Sequence, residues 1–238
     1  MIDLRGFYEH LYQEKFQRNA AHEIYDRLRV KCIRELAMPY SEPILIVGCG
    51  SQHDFDILPK TLKIIAFDIS LNALLKAPRD RLVFVGNALK IPIESEKFNL
   101  IICSEVLEHI PDIRSAVREL RRVIKPGGIL IVSSPNWHSW FGLARWIGEK
   151  FTRQPIHSSS QPYDDWKTWK RYKEELSPEF KVIASRGVWY LPPLHYRTLG
   201  IPRVLMNLLY YTYAPLETLF SRMCPHWGHI LILKCQAK

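Results

Sequence analysis

The chain has no window of 18 uninterrupted apolar residues, so no helix that spans a bilayer is expected. Its opening residues, MIDLRGFYEH, lack an apolar h-region, and no secretory signal is expected there. Cysteine is scarce, odd in number and scattered: Cys32, Cys49, Cys103, Cys224 and Cys235. No Cys-x-x-Cys pair occurs. That argues against a disulfide framework and a zinc site, and for a reducing, cytoplasmic setting. With neither an internal repeat nor a clear linker, residues 1–238 read as one domain, long enough for a sizeable core. Acidic residues are outnumbered, 24 against 33 Lys and Arg, which leaves a formal charge of +9. Such an excess favours nucleic acid, anionic membranes or acidic substrates. Here the basic residues are spread along the chain, in short clusters at 118–122 and 170–173 that read as exposed helix faces, so nucleic acid is not expected as a partner.

What is present centres on Ile44–Gly50, ILIVGCG. A continuous apolar run of this length suits a strand buried on both faces of a parallel sheet. Gly48 and Gly50 let the chain turn sharply, and with Cys49 they let a ligand approach the backbone. Alone, the motif also fits an ordinary strand-ending turn. Asp68, however, closes the next apolar run 18 residues after Gly50, where an acid accepts hydrogen bonds from ribose hydroxyls. A dinucleotide site wants a third glycine where this chain has His53. Its absence disfavours a pyrophosphate, and with it a nicotinamide-dependent oxidoreductase, and favours a nucleoside.

The rest of the chain alternates strands with helices. Residues 5–36 read as helical, with Ile24, Leu28, Cys32 and Leu36 at helix spacing. Strands are expected at 44–47, 62–68, 82–85, 98–103, from Ile129, at 180–189 and at 229–235. Helices are expected over part of 52–60, from Ser70 as N-cap to about Lys76, and over 113–124, whose apolar residues share one face. The alternation predicts an α/β fold with a doubly wound, mostly parallel sheet and helices on both faces.

At ILIVGCG, AFDIS (66–70), GNALKIP (86–92), FNLIICSEVLEHIPD (98–112) and LRRVIKPGGILIVSSPN (120–136) the chain resembles the class I S-adenosylmethionine-dependent methyltransferases, with these segments in family order and spacing. The resemblance implies a Rossmann-like sheet of seven strands whose antiparallel last strand inserts beside the fifth. It implies S-adenosyl-L-methionine as cofactor. Backbone at Gly48, Cys49 and Gly50 would approach the methionine portion, Asp68 the ribose, Ile69 the adenine, and Asn87 and Ala88 its polar edge. Cys103 would offer its carbonyl to the amino group, and Glu105 would face the cofactor. Asn87 also reads as a turn residue. Two positions depart from the family: Ile46 stands where it has an acid, and Gln52 replaces a glycine. They motivate a rival reading, a catalytically weak nucleoside-binding module of the same fold.

Glu105, Glu108 and His109 fall at i, i+3 and i+4, one face of a helix, where two carboxylates and an imidazole suit a divalent ion. The same string occurs in metal-free relatives, and no metal is expected. Methyl transfer needs alignment and water exclusion, with a base only if the acceptor loses a proton. His138 is the candidate general base, with His157, Tyr163, Asp164 and Asp165 behind it; a half-buried histidine among tryptophans is the plainer alternative. The N-terminal segment 1–40, through Phe7, Tyr8 and Tyr12, is expected to close over the cofactor, and insertions 137–175 and 190–228 to form a substrate cap. In the second insertion, Val204, Leu205, Leu208, Leu209 and Thr212 share a helical face. Such a helix is usually buried core; the alternative is a lid over an apolar pocket or a helix resting on an anionic membrane. The expected acceptor is small or lipid-like, and the expected further partner is a membrane, contacted peripherally.

Overall fold

The run Ile44–Val47 forms strand β1, and all four side chains are buried. Successive side chains along a strand point to opposite faces. Ile44 and Ile46 accordingly join one apolar cluster, and Leu45 and Val47 the other. Each buried aliphatic contributes roughly 1.5–3 kcal/mol relative to exposure, so neither face of β1 tolerates water.

The computed structural model describes residues 3–13, 20–50, 55, 57–153, 162–191 and 203–238. Around β1 stand β2 (Ile64–Asp68), β3 (Leu82–Val85), β4 (Phe98–Ser104), β5 (Ile124–Pro135), β6 (Phe180–Val188) and β7 (Ile230–Ala237). They form one sheet in the order β3-β2-β1-β4-β5-β7-β6. The pairs from β3 through β5 are parallel; β7 runs antiparallel between β5 and β6. This is the expected Rossmann-like arrangement. Because the spatial order reverses between β1 and β4, the carboxyl ends of these strands border an open crevice.

Helices α1 (Leu4–Gln13), α2 (Ala20–Ala37), α3 (Leu71–Leu74), α4 (Ile113–Val123), α5 (Trp140–Thr152), α6 (Trp169–Leu176) and α7 (Arg203–Met223) surround the sheet. Leu28, Ile33 and Leu36 of α2 pack with Ile44 and Ile46 on one face. Val117 and Leu120 of α4, with Tyr172 and Leu176 of α6, pack with Leu45 and Val47 on the other. Ser70 caps α3 as expected, its hydroxyl accepting from the Ala73 N–H, and Asp112 caps α4 in the same way from Ser115.

The helix expected over 5–36 is seen as α1 and α2, with residues 14–19 between them outside the described residues. Two points differ from the sequence reading. The Pro126-Gly127-Gly128 turn is absorbed into β5, with Gly127 at φ +76° and a register shift against β4 between Phe98 and Leu100. The apolar face of α7 is not core: Val204, Leu205, Leu208 and Thr212 are exposed. The Leu209 side chain, and residues 52–54 and 56 of the short helix expected over 52–60, lie outside the described residues.

Candidate functional site

At the tip of β1 the chain turns with its backbone open. Gly48 and Gly50 sit at φ +65° and +55°, a region glycine enters without steric cost. A Cβ on Gly48 would lie 2.4 Å from Cγ2 of Val106, and one on Gly50 2.9 Å from the Tyr12 hydroxyl. The N–H groups of Gly48 and Cys49 donate to the Phe67 carbonyl at 2.9 and 3.1 Å. Gly50 N–H donates to Asp68 Oδ2, and Ser70 N–H to Asp68 Oδ1, each at 2.9 Å. Two backbone donors thus orient the buried Asp68 carboxylate at the end of β2, and a carboxylate has about four acceptor positions in all. The Gly86 N–H donates to the Asp68 carbonyl at 2.9 Å, which ties the end of β3 to the same point.

Helix α1 buries no residue in the core. It lies over the strand ends instead, held there by Glu9. That carboxylate accepts from the Ser70 hydroxyl at 3.0 Å and from the Leu71 and Asn72 N–H groups at 2.9 and 3.0 Å. The Asn72 amide returns a bond to the Glu9 carbonyl at 3.0 Å, and Lys76 donates to the Tyr12 carbonyl. The Asn72 and Leu71 donors hold the Glu9 carboxyl below its ordinary pKa. Under α1 lies a cavity of about 790 Å³, in the range of small-molecule sites. Leu4, Tyr8, Leu11 and Tyr12 roof it, Gly48, Asp68, Ile69, Asn87 and Ala88 floor it, and Glu105, Val106 and His109 close one side.

The Glu105–His109 string is not a helical face. Glu105 stands at φ +55°, and only Leu107–His109 form a turn of 3-10 helix. Glu105 therefore stands outside the turn that carries the other two, while Nε2 of His109 stays 3.7 Å from Oε1 of Glu108. Glu105 accepts from the Tyr25 hydroxyl at 2.8 Å and the Ser133 hydroxyl at 2.9 Å. Glu108 accepts from the Ser134 hydroxyl at 2.7 Å. Burial pushes both carboxyls up to about 8, Glu105 further helped by the charge of Glu108. The His109 Nδ1 lies 3.2 Å from the Tyr163 carbonyl. A carbonyl only accepts, so Nδ1 carries the proton and Nε2 the lone pair. Burial lowers the His109 pKa, which keeps the ring neutral. Asp164 Oδ1 stands 4.0 Å from Nδ1 and is itself held by the Trp166 indole N–H at 2.9 Å. Among the described residues, no group of three or more His, Cys, Asp or Glu is placed to hold a metal ion.

Residues 45–132 match the family model described as a methyltransferase domain. These residues thus carry a methyltransferase domain, and the chain is similar to S-adenosylmethionine-dependent methyltransferases. An uncharacterised protein of Methanocaldococcus jannaschii is 27% identical over 191 residues, 80% of this chain and 76% of its own. A ubiquinone biosynthesis O-methyltransferase of Hahella chejuensis is 29% identical over 128 residues, 52% of each chain, so this methyltransferase spans about half of that relative. The crystal structure of a SAM-dependent methyltransferase from Thermotoga maritima has a TM-score of 0.61, covering 90% of this chain and 91% of that one at 15% identity, which shows a shared fold.

The cavity of this methyltransferase fits S-adenosylmethionine. Its floor carries Gly48, where a side chain would meet Val106, and the oriented carboxylate of Asp68. Of the residues expected around the cofactor, Gly48, Asp68, Ile69, Asn87, Ala88 and Glu105 line the cavity. Cys49, Gly50 and Cys103 do not; the Cys49 and Cys103 side chains are buried in the two clusters. Asn87 serves its turn, since its side-chain oxygen accepts the Leu89 N–H at 2.9 Å. Ile46, at the family's acidic position, is fully buried among hydrocarbon. Tyr8 and Tyr12 line the cavity, and Phe7 packs edge-on against Tyr8.

The expected base, His138, is exposed and lines neither this cavity nor a second one of about 550 Å³. Asp164 and Asp165 line that second cavity with Trp137, Arg145 and Trp166, and Pro111 borders both. Tyr163 acts through its carbonyl, on His109. Gln52, His53 and His157 lie outside the described residues. The sequence reading assigned no role to Glu9, Tyr25 or Ser133, whose partners lie 28–80 residues away in the chain. No local pattern marks them.

Proposed function

We propose that the chain methylates a hydroxyl on a small or lipid-like acceptor with an apolar portion, using His109 rather than His138 as general base. The observation that carries this reading is the neutral His109 ring in the cavity wall, its tautomer set by the Tyr163 carbonyl. When bound, S-adenosylmethionine supplies an electrophilic methyl group on a sulfonium. Asp68 would hold its ribose, the backbone at Gly48 its methionine portion, and Ile69 and Ala88 its adenine. Glu105, at the end of β4, would stand in for the acid replaced by Ile46.

The chain's own work is then to orient, to exclude water and to take a proton. Nε2 of His109 accepts the hydroxyl proton of the acceptor, and Asp164 steadies the imidazolium that results. Insertion 137–175 serves as part of the cap by supplying Tyr163 and Asp164. The described residues of 190–228 line neither cavity. Leu4, Leu11, Ile110 and the Tyr8 ring make the acceptor side apolar. The name of the Hahella relative supports an oxygen acceptor of this kind.

The test is incubation of the protein and cofactor with phenolic and carboxylic acceptors, followed by mass analysis for a gain of one CH₂. Product should form, and His109→Gln should lower kcat roughly 10²–10⁴-fold while His138→Gln leaves it unchanged. Full activity in His109→Gln removes the base. A cofactor that binds without any acceptor being methylated favours the nucleoside-binding module instead.

A further inference from the structure

Helix α7 wears its polarity inside out. It has 21 residues, a length of about 30 Å at 1.5 Å per residue. Leu205, Leu208, Leu216, Leu219 and Met223 recur along one stripe with Thr212, and every one is exposed, Leu208 by 58% and Met223 by 67%. Glu217, on the far side, is only 4% exposed. Its carboxylate accepts the Trp189 N–H, and the Tyr190 N–H at 3.3 Å. A surface helix normally buries its apolar stripe and wets its charges. Here the acid faces the protein and the leucines face outward.

A second exposed stripe lies on α5: Trp140, Leu143, Ile147 and Phe151, the last 84% exposed. The end of α7 and the start of α5 are pinned together by Asn136, whose side-chain N–H₂ donates to the His226, Gly228 and His138 carbonyls at 2.7, 3.0 and 3.2 Å. Trp227, also exposed, stands at that junction. Among the described side chains of the two helices and the Arg153 cap, the exposed charges are Lys150, Arg153 and Arg222, all cationic. Lys150 lies 5.1 Å from the centroid of the Trp146 ring. The whole chain carries +9.

Leucines, tryptophans and a phenylalanine rimmed by cations form the composition of a helix that lies in a membrane interface. Among the described residues, no helix is long and apolar enough to cross a bilayer, so the contact is one of surface insertion. We propose that α7 and α5 dock this chain on an anionic lipid bilayer, the outward leucines entering the headgroup boundary and the basic residues meeting the lipid charge. The inference is independent of the acceptor reading, because the stripe lines neither cavity.

The experiment is flotation of the full chain with vesicles of equal parts phosphatidylcholine and phosphatidylglycerol, and with phosphatidylcholine alone. The chain should float with the anionic vesicles and much less with the neutral ones. Raising salt should weaken the association, since charge is screened beyond about 10 Å at 0.1 M. Leu208→Gln with Leu219→Gln should cut partitioning about tenfold or more, and Phe151→Gln should weaken it separately. All three residues are exposed and none lines the cofactor cavity, so S-adenosylhomocysteine binding should be unchanged in each variant. Absence of flotation with anionic vesicles overturns the proposal. So does equal flotation of parent and variants, or a chain that ignores vesicles but forms a dimer that the leucine variants dissolve.

Discussion

Asp68 does two things at once, and the second depends on the first. Its carboxylate takes the Gly50 and Ser70 N–H groups, which orients it at the cavity rim. An oriented acceptor binds a ribose hydroxyl without the entropy cost of ordering a side chain. Asp68→Ala should therefore weaken S-adenosylhomocysteine binding by roughly 1.5–3 kcal/mol, the scale of hydrogen bonds to a charged group. Calorimetry checks this, with circular dichroism to confirm that the turn still folds. Gly48 is the opposite kind of residue, required for what it lacks. Any side chain there meets Val106 and a left-handed backbone.

At the scale of elements, α1 supplies the roof of the cavity and stands apart from the sheet. Its hold on α3 is polar, through Glu9 and Asn72, and it buries no side chain in the core. Elements with few buried contacts open at low free-energy cost. The expected consequence is that α1 opens and recloses as cofactor enters and product leaves. Glu9→Ala should speed release of S-adenosylhomocysteine several-fold in stopped-flow measurements, with little change in the melting temperature. Unchanged release would mean that α1 is held by its apolar contacts with the cavity roof alone.

Across the whole molecule, the buried carboxyls set a pH dependence. Glu105 and Glu108 keep their protons up to about 8 in the folded state, whereas in an unfolded chain they lose them near 4.3. Between those values the native state binds more protons, so stability falls as pH rises. His109, with its lowered pKa, opposes this only in acid, where the unfolded chain takes up the proton first. Urea unfolding should thus show a loss of more than about 1 kcal/mol between pH 5.5 and pH 8. Glu108→Gln should flatten that slope.

Hydrophobic runs and glycines are local signals, and they made the sheet, its strand ends, Gly48 and Asp68 legible in the sequence alone. Periodicity determined that β1 is buried on both faces, because each of its four residues needs an apolar neighbour. It also determined that residues near 204–212 share an apolar face. Which way that face points was decided by tertiary structure, because a stripe records only that one side differs from the other. The backbone N–H groups of Trp189 and Tyr190 draw Glu217 inward, and the leucines are left outside. The surroundings of the two histidines were decided in the same way: a carbonyl 54 residues away stands against the His109 ring, while His138 is exposed. Spacing placed Glu105, Glu108 and His109 on a common face, but the positive φ at Glu105 takes that residue out of the turn that carries Glu108 and His109, since a residue in that region cannot continue a right-handed helix.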